Sequence, residues 1–248
     1  MRGNNTYTLD GGDRFGDEFA AANSPAALRA GFIKRTYAHV FGAVLALIAI
    51  EAYLLGSGAA EPILKAIFAS GGKATWIILM VAFVAAGYVA QYMARASSVP
   101  MQYLGLGGYV LLESVILLPI LYQAQVMFPE KQLAAQAGIV TLLVFGSLTT
   151  FVFVSGKDFS FLGPVLTILS FAALGLVIGS VVFGFSLGLV FSVAMVVLVA
   201  GMIVYETSNI MHNYGVHQHV AASLALFASI ATMFYYILRI FMSTSSRD

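Results

Sequence analysis

Long uninterrupted apolar runs constrain this chain more than any other feature. A helix needs about 20 apolar residues to cross the hydrocarbon core of a bilayer. Seven stretches meet that need, near residues 36–55, 75–93, 104–122, 134–154, 162–183, 187–210 and 220–242. A membrane β-barrel would instead show segments of about ten residues with alternating polarity, and a run such as 190–204 does not alternate. The expected fold is therefore all-α: a polytopic integral membrane protein, a seven-transmembrane-helix bundle. Composition agrees, with 60% of residues hydrophobic and 9% charged, where an ordinary soluble domain carries roughly 25% charge. A water-soluble globule could not hide that much apolar surface.

The connections are short. Ser70-Gly71-Gly72, Ser97-Ser98-Val99-Pro100, Phe128-Pro129-Glu130-Lys131 and Ser155-Gly156-Lys157-Asp158 read as turns. The uncharged stretch 182–186 reads as a tight hairpin, and 60–68, with Pro62 near its start, as a short amphipathic piece lying in the membrane interface. No inverted or tandem repeat is evident. Two regions are expected: a flexible polar tail over 1–31 and one membrane domain over 32–248. The tail holds Asp10, Asp13, Arg14, Asp17 and Glu18 and lacks the apolar core of an export signal, so the first apolar stretch is expected to act as an uncleaved anchor.

Cationic residues follow the positive-inside rule best when the N-terminus is cytoplasmic, because Arg29, Lys34 and Arg35 cluster beside the first span. The C-terminus is then outside. A net charge of +1 argues against nucleic-acid binding, which needs a basic face. The chain has no cysteine, which removes disulfides, thiolate chemistry and Cys-ligated metal.

Charges inside a span are costly and default to functional hypotheses. Glu51 falls in the outer half of the first stretch, Glu113 near the middle of the third, and Glu206 about a turn from the inner end of the sixth. A carboxylate buried without a cation takes up a proton, because desolvation disfavours the charged form. Each is a candidate proton or cation site, and the alternative is a packing residue facing the bundle. His212, His217 and His219 cluster between the last two stretches. They carry no H-E-x-x-H spacing and read as a solvated loop. The string Gly184-Phe185-Ser186-Leu187-Gly188 matches G-x-S-x-G, but a nucleophile elbow needs a strand before it and a histidine near it. No enzyme activity, cofactor or metal is expected. Gly105, Gly107 and Gly108, and the pair Gly175 and Gly179, are expected to let helices approach closely.

Several motifs resemble one known family. The segment Lys157-Asp158-Phe159-Ser160-Phe161-Leu162-Gly163 resembles the K-D-F-S-F motif of the Bax inhibitor-1 family, including its bacterial YccA-like members. Tyr205-Glu206-Thr207-Ser208-Asn209-Ile210 resembles the family's Y-D-T-x-x-I, and Tyr236-Ile237-Leu238-Arg239-Ile240 its closing Y-I-L-R-I. Phe32-Ile33-Lys34-Arg35-Thr36-Tyr37 resembles the family's start, so the likeness runs over about 32–242 in the right order.

The resemblance implies a seven-helix bundle with a central last helix in a bacterial inner membrane. It also implies a cation leak, with calcium proposed, gated by pH through two aspartates that share a proton. Glu206 stands where the first aspartate is expected, and Ser229 where the second is, with Thr232 where an asparagine is common. Ser229 cannot share a proton as a carboxylate does, but it can donate a hydrogen bond to Glu206. The expected ion or proton site is Glu206 and Ser229, with Glu113, Glu51 and Asp158 as further candidates. The expected partners are the lipid bilayer, calcium or protons, and a membrane-bound protease to which YccA-like proteins are linked, reached through the tail.

Overall fold

The computed structural model describes residues 21–69, 73–96 and 98–246, the side chains of residues 23, 73–80 and 83 excepted. The first twenty residues of the expected polar tail thus lie outside the described residues, as do residues 70–72 and Ser97 of two expected turns.

A 3-10 turn at Ala21–Asn23 leads into eight helices. They are α1 (Ala26–Gly56), α2 (Ala60–Phe68), α3 (Lys73–Ala94), α4 (Val99–Met127), α5 (Leu133–Ser155), α6 (Leu162–Phe183), α7 (Leu189–His212) and α8 (His219–Ser245). Among the described residues, six are long and apolar enough to cross a membrane: α1, α4, α5, α6, α7 and α8. The 22-residue α3 stands where the second apolar stretch was expected.

Several helices outrun their apolar windows. With 31 residues, α1 is about 46 Å long at 1.5 Å per residue, well beyond the roughly 30 Å of the hydrocarbon core. Its first turns carry Arg29, Lys34 and Arg35, and it begins at Ala26, inside the region expected as tail. Ala21 just before it is fully buried and donates its backbone N–H to the Tyr214 carbonyl at 2.9 Å. The amphipathic α2 packs against α4 and carries an exposed Glu61–Lys65 pair at 2.6 Å.

The bundle is built around α8. In that helix 78% of the apolar window is buried, against 6% in α6, which sets α8 at the centre and α6 at the lipid-facing rim. It packs against α1, α3, α4, α5 and α7. Small side chains make this possible: Ala221, Ala222, Ser223, Ala225 and Ala231 are buried along it, between larger anchors such as Leu224, Phe227, Met233 and Leu238. Small residues let helices approach in lipid, where dispersion packing replaces the hydrophobic effect as the driving force. Tyr109 of α4 meets Phe227 edge-on, ring centroids 6.1 Å apart.

The glycines divide. A methyl group at Gly105 would meet the Ala90 carbonyl oxygen at 2.8 Å and Met93 Cβ at 2.9 Å, so the α3–α4 crossing requires that glycine. Gly107, Gly108 and Gly175 face open space, and Gly179 lies against Phe183 and Phe185 of its own hairpin. The expectation that these four bring helices together is corrected: a side chain at any of them would meet no neighbouring helix within 4 Å, so none is needed for close approach.

Candidate functional site

Glu206 sits on the last turns of α7, with fewer than two turns of helix between it and the end at His212. It lines a cavity of about 420 Å³ walled by α3, α6, α7 and α8. Ser229 and Thr232 enter from α8, Thr167 and Ser170 from α6, and Gln91 from α3. Three of the hydroxyls are already committed as donors. Thr167 donates to the Gly163 carbonyl at 2.8 Å, Ser170 to Leu166 at 2.7 Å and Thr232 to Ala228 at 2.8 Å. Each oxygen keeps lone pairs but no proton to offer, so these positions present acceptors only. The Gln91 side-chain oxygen is buried with no hydrogen-bond partner. A carboxylate, acceptor hydroxyls and an amide oxygen form a lining suited to a cation.

Two of the walls meet closely at one edge of the cavity. A Cβ at Gly163 would come within 3.0 Å of the Tyr205 ring, so that glycine lets α6 lie close against α7 beside the site. The Tyr214 hydroxyl, just past the end of α7, donates to Glu206 Oε2 at 3.5 Å. Arg95 and Asn209 lie near enough to Glu206 for their side chains to act on its carboxylate, and Arg95 acts on Tyr214 as well. The expected neighbours Glu206 and Ser229 therefore share one cavity, while the groups that hold the carboxylate are Arg95, Tyr214 and Asn209. Sequence reasoning missed those three. Asn209, three residues beyond Glu206 on the same helix face, is the one that spacing could have found.

Glu113 and Glu51 belong elsewhere. They come together across the α1–α4 contact, close enough for their charges to act on one another, and neither is among the groups around Glu206. Both are buried, at 4% and 6% exposure. Glu113 bonds with Tyr109, one turn earlier on α4. Both Glu51 carboxylate oxygens are buried without a hydrogen-bond partner.

Asp158 is exposed, in the loop between α5 and α6. Its Oδ1 accepts the Ser160 backbone N–H at 2.8 Å and the Ser208 hydroxyl at 3.2 Å. The Phe159 backbone N–H donates to that same Ser208 oxygen at 2.7 Å. The Ser160 backbone N–H first, then the Ser160 and Ser208 side chains, hold the Asp158 carboxyl below its ordinary range. The K-D-F-S-F segment is thus a clasp that ties the α5–α6 loop to α7, two residues from Glu206.

Arg239 does similar work at the opposite end. From α8 its Nη2 donates to the Leu187 carbonyl in the α6–α7 hairpin, where Gly184 adopts a left-handed φ of 77°. The expectation of a solvated histidine loop is corrected: His212 ends α7, His219 opens α8 with a buried Nδ1, and only His217 lies in the loop between them. Ser186 precedes α7, so that 24-residue helix, about 36 Å in length, separates it from all three. His219 turns toward His39, ring centroids 5.1 Å apart, and His39 bonds the Tyr103 hydroxyl at 2.8 Å. Among the described residues, no three His, Cys, Asp or Glu side chains gather as a metal site.

Comparison with known proteins identifies the family. The family model described as "Inhibitor of apoptosis-promoting Bax1" matches residues 29–246. The chain is similar to Protein LIFEGUARD 4 of Arabidopsis thaliana, 29% identical over 226 residues, 86% of this chain and 85% of that one. It is similar to a BI1-like protein of Arabidopsis thaliana, 38% identical over 125 residues, 45% of each chain. An uncharacterized protein of Pseudomonas aeruginosa is 38% identical over 103 residues, 41% of this chain and 46% of its own length. No solved structure matches. With the family model spanning all but the ends and the relatives agreeing, this multi-pass membrane protein belongs to the Bax inhibitor-1 family.

Proposed function

We propose that the chain is a pH-sensitive cation leak with calcium as its ion, Glu206 being the carboxylate that binds or latches along the path. The observation that carries this reading is the Glu206 cavity, where a carboxylate and acceptor oxygens line the side of the central helix inside a membrane bundle. A latch built on Glu206 and the Ser229 hydroxyl has one carboxylate where two aspartates are expected from the family resemblance. Protonation of Glu206 removes its charge, and with it both the attraction for a cation and the hold of Arg95. That is the origin proposed for pH sensitivity.

On this reading α3 is a seventh span and the N-terminus lies on the cytoplasmic side of a bacterial inner membrane, as in the YccA-like branch. The cations Arg29, Lys34 and Arg35 at the start of α1 and the Pseudomonas relative support it. The test is calcium entry into dye-loaded proteoliposomes, which is expected to exceed that of protein-free vesicles and to fall in Glu206→Gln. Absence of entry with the wild type would favour a non-conducting partner of a membrane-bound protease instead.

A further inference from the structure

A second cavity lies beyond the Glu206 site. It holds about 440 Å³ and is walled by α1, α4, α5 and α8, within the range of small-molecule pockets. Its walls are apolar, with Leu47, Leu117, Leu121, Phe227, Ile230 and Phe234 among them. Glu51 and Thr141 are the two polar side chains in the lining, and the Thr141 hydroxyl is spent on the Ala137 carbonyl at 2.7 Å. Glu51 is 6% exposed, both its oxygens lack a partner, and its residue lines this space. Glu113 stands behind it as a second acidic group, already bonded to Tyr109. Among the described residues neither carboxylate forms an ion pair.

The cavity has a route to lipid. Helices α1 and α5 both pack on α8 but barely on each other. They meet through Tyr37, whose ring lies 6.3 Å from Phe145 and 5.9 Å from Phe153. Toward Glu51, fourteen residues further along α1, they part. The residues at that gap, Ile48, Ile139 and Leu142, are more than half exposed and line the cavity too.

Charge and shape select the occupant. Calcium takes six to eight oxygen ligands, and this lining cannot supply them. An alkylammonium group brings one positive charge and three N–H donors, which suits a carboxylate whose two oxygens have no donor. Its hydrocarbon tail suits the walls. We propose that this cavity binds a lipophilic primary amine that enters from the bilayer between α1 and α5, its ammonium group on Glu51. Binding here is independent of the leak and holds whether or not the chain conducts.

The probes are dodecylamine and dodecanol, equal in chain and different in charge, added to the full chain in phosphatidylcholine nanodiscs while thermal unfolding is followed. Dodecylamine is expected to stabilise at a concentration about tenfold below dodecanol, the worth of one charge-assisted hydrogen-bonded contact. In Glu51→Gln that preference is expected to vanish while the protein stays folded. Gly138 lines the cavity with open space at its Cβ position, so Gly138→Leu fills the site without altering charge and is expected to abolish stabilisation by both probes. Equal action of amine and alcohol on the wild type would mean a cleft for lipid chains only and would overturn the proposal. So would an amine preference that survives in Glu51→Gln, or probe stabilisation unchanged in Gly138→Leu.

Discussion

Tyr214 donates its hydroxyl to Glu206 Oε2 at 3.5 Å, and the Arg95 side chain acts on both of them. A loop tyrosine thereby links the intramembrane carboxylate to a cation in the α3–α4 connection. Glu206 is held by a network in which the α3–α4 connection, the end of α7 and the start of the α7–α8 loop each supply one group.

That network gives a coupling to measure. In a thermal-unfolding cycle of Arg95→Gln, Glu206→Gln and the double variant, the two changes are expected to be non-additive by about 0.5–1 kcal/mol, because Arg95 is exposed and its attraction is screened. Additivity within error would mean that Arg95 does not act on Glu206.

The K-D-F-S-F clasp makes a pH prediction. The Asp158 carboxyl lies below its ordinary range because the Ser160 backbone N–H bonds the charged form. Its contribution is therefore fully present above the unfolded-state value of about 4 and is lost as pH falls through the lower folded-state value. Wild-type melting temperature is expected to drop below about pH 4 by more than that of Asp158→Asn, and parallel profiles would contradict this. Ser208→Ala removes a donor to Asp158 and the acceptor of the Phe159 N–H, and is expected to cost about 1–3 kcal/mol.

Close packing at Gly105 makes another. Gly105→Ala forces its methyl group against backbone at 2.8 Å and is expected to destabilise by about 1–3 kcal/mol. The same change at Gly107, which has open space, is expected to be neutral or slightly stabilising in thermal unfolding, since alanine favours helix.

Arg239 secures the α6–α7 hairpin through the Leu187 carbonyl. Arg239→Met keeps the aliphatic stem and removes the donor. Proteolytic cleavage within residues 184–188 is expected to quicken several-fold in that variant, at about 1 kcal/mol or more for a charged hydrogen bond. An unchanged cleavage rate would show that the hairpin is held by its own turn.

The positions of the membrane helices were legible because twenty apolar residues in a row have few other uses. Their ends were less legible, since α1 and α4 continue as helix past the apolar stretch, through residues such as Arg29 and Gln125. The meeting of Glu206 and Ser229 in one cavity was expected only through the resemblance, because no helical periodicity relates residues on different helices. The α1–α4 packing that joins Glu51 to Glu113, and the loop geometry that brings Arg95 and Tyr214 to Glu206, left no local signature for the same reason. Gly175 and Gly179 had the spacing of a packing pair but lie on the lipid-facing rim helix α6.

Stopped-flow calcium entry into liposomes holding the purified chain tests the leak most directly, measured at pH 6 and pH 8 for the wild type, Glu206→Gln and Ser229→Asp. Entry above protein-free vesicles is expected for the wild type, with a rate that changes between the two pH values. Glu206→Gln is expected to lose that pH dependence and most of the flux, about tenfold or more, while Ser229→Asp, which adds a second carboxylate to the same cavity, shifts the pH response. Wild-type entry no faster than in empty vesicles, or a Glu206→Gln rate and pH response equal to the wild type's, would contradict the assignment of Glu206 to the ion path.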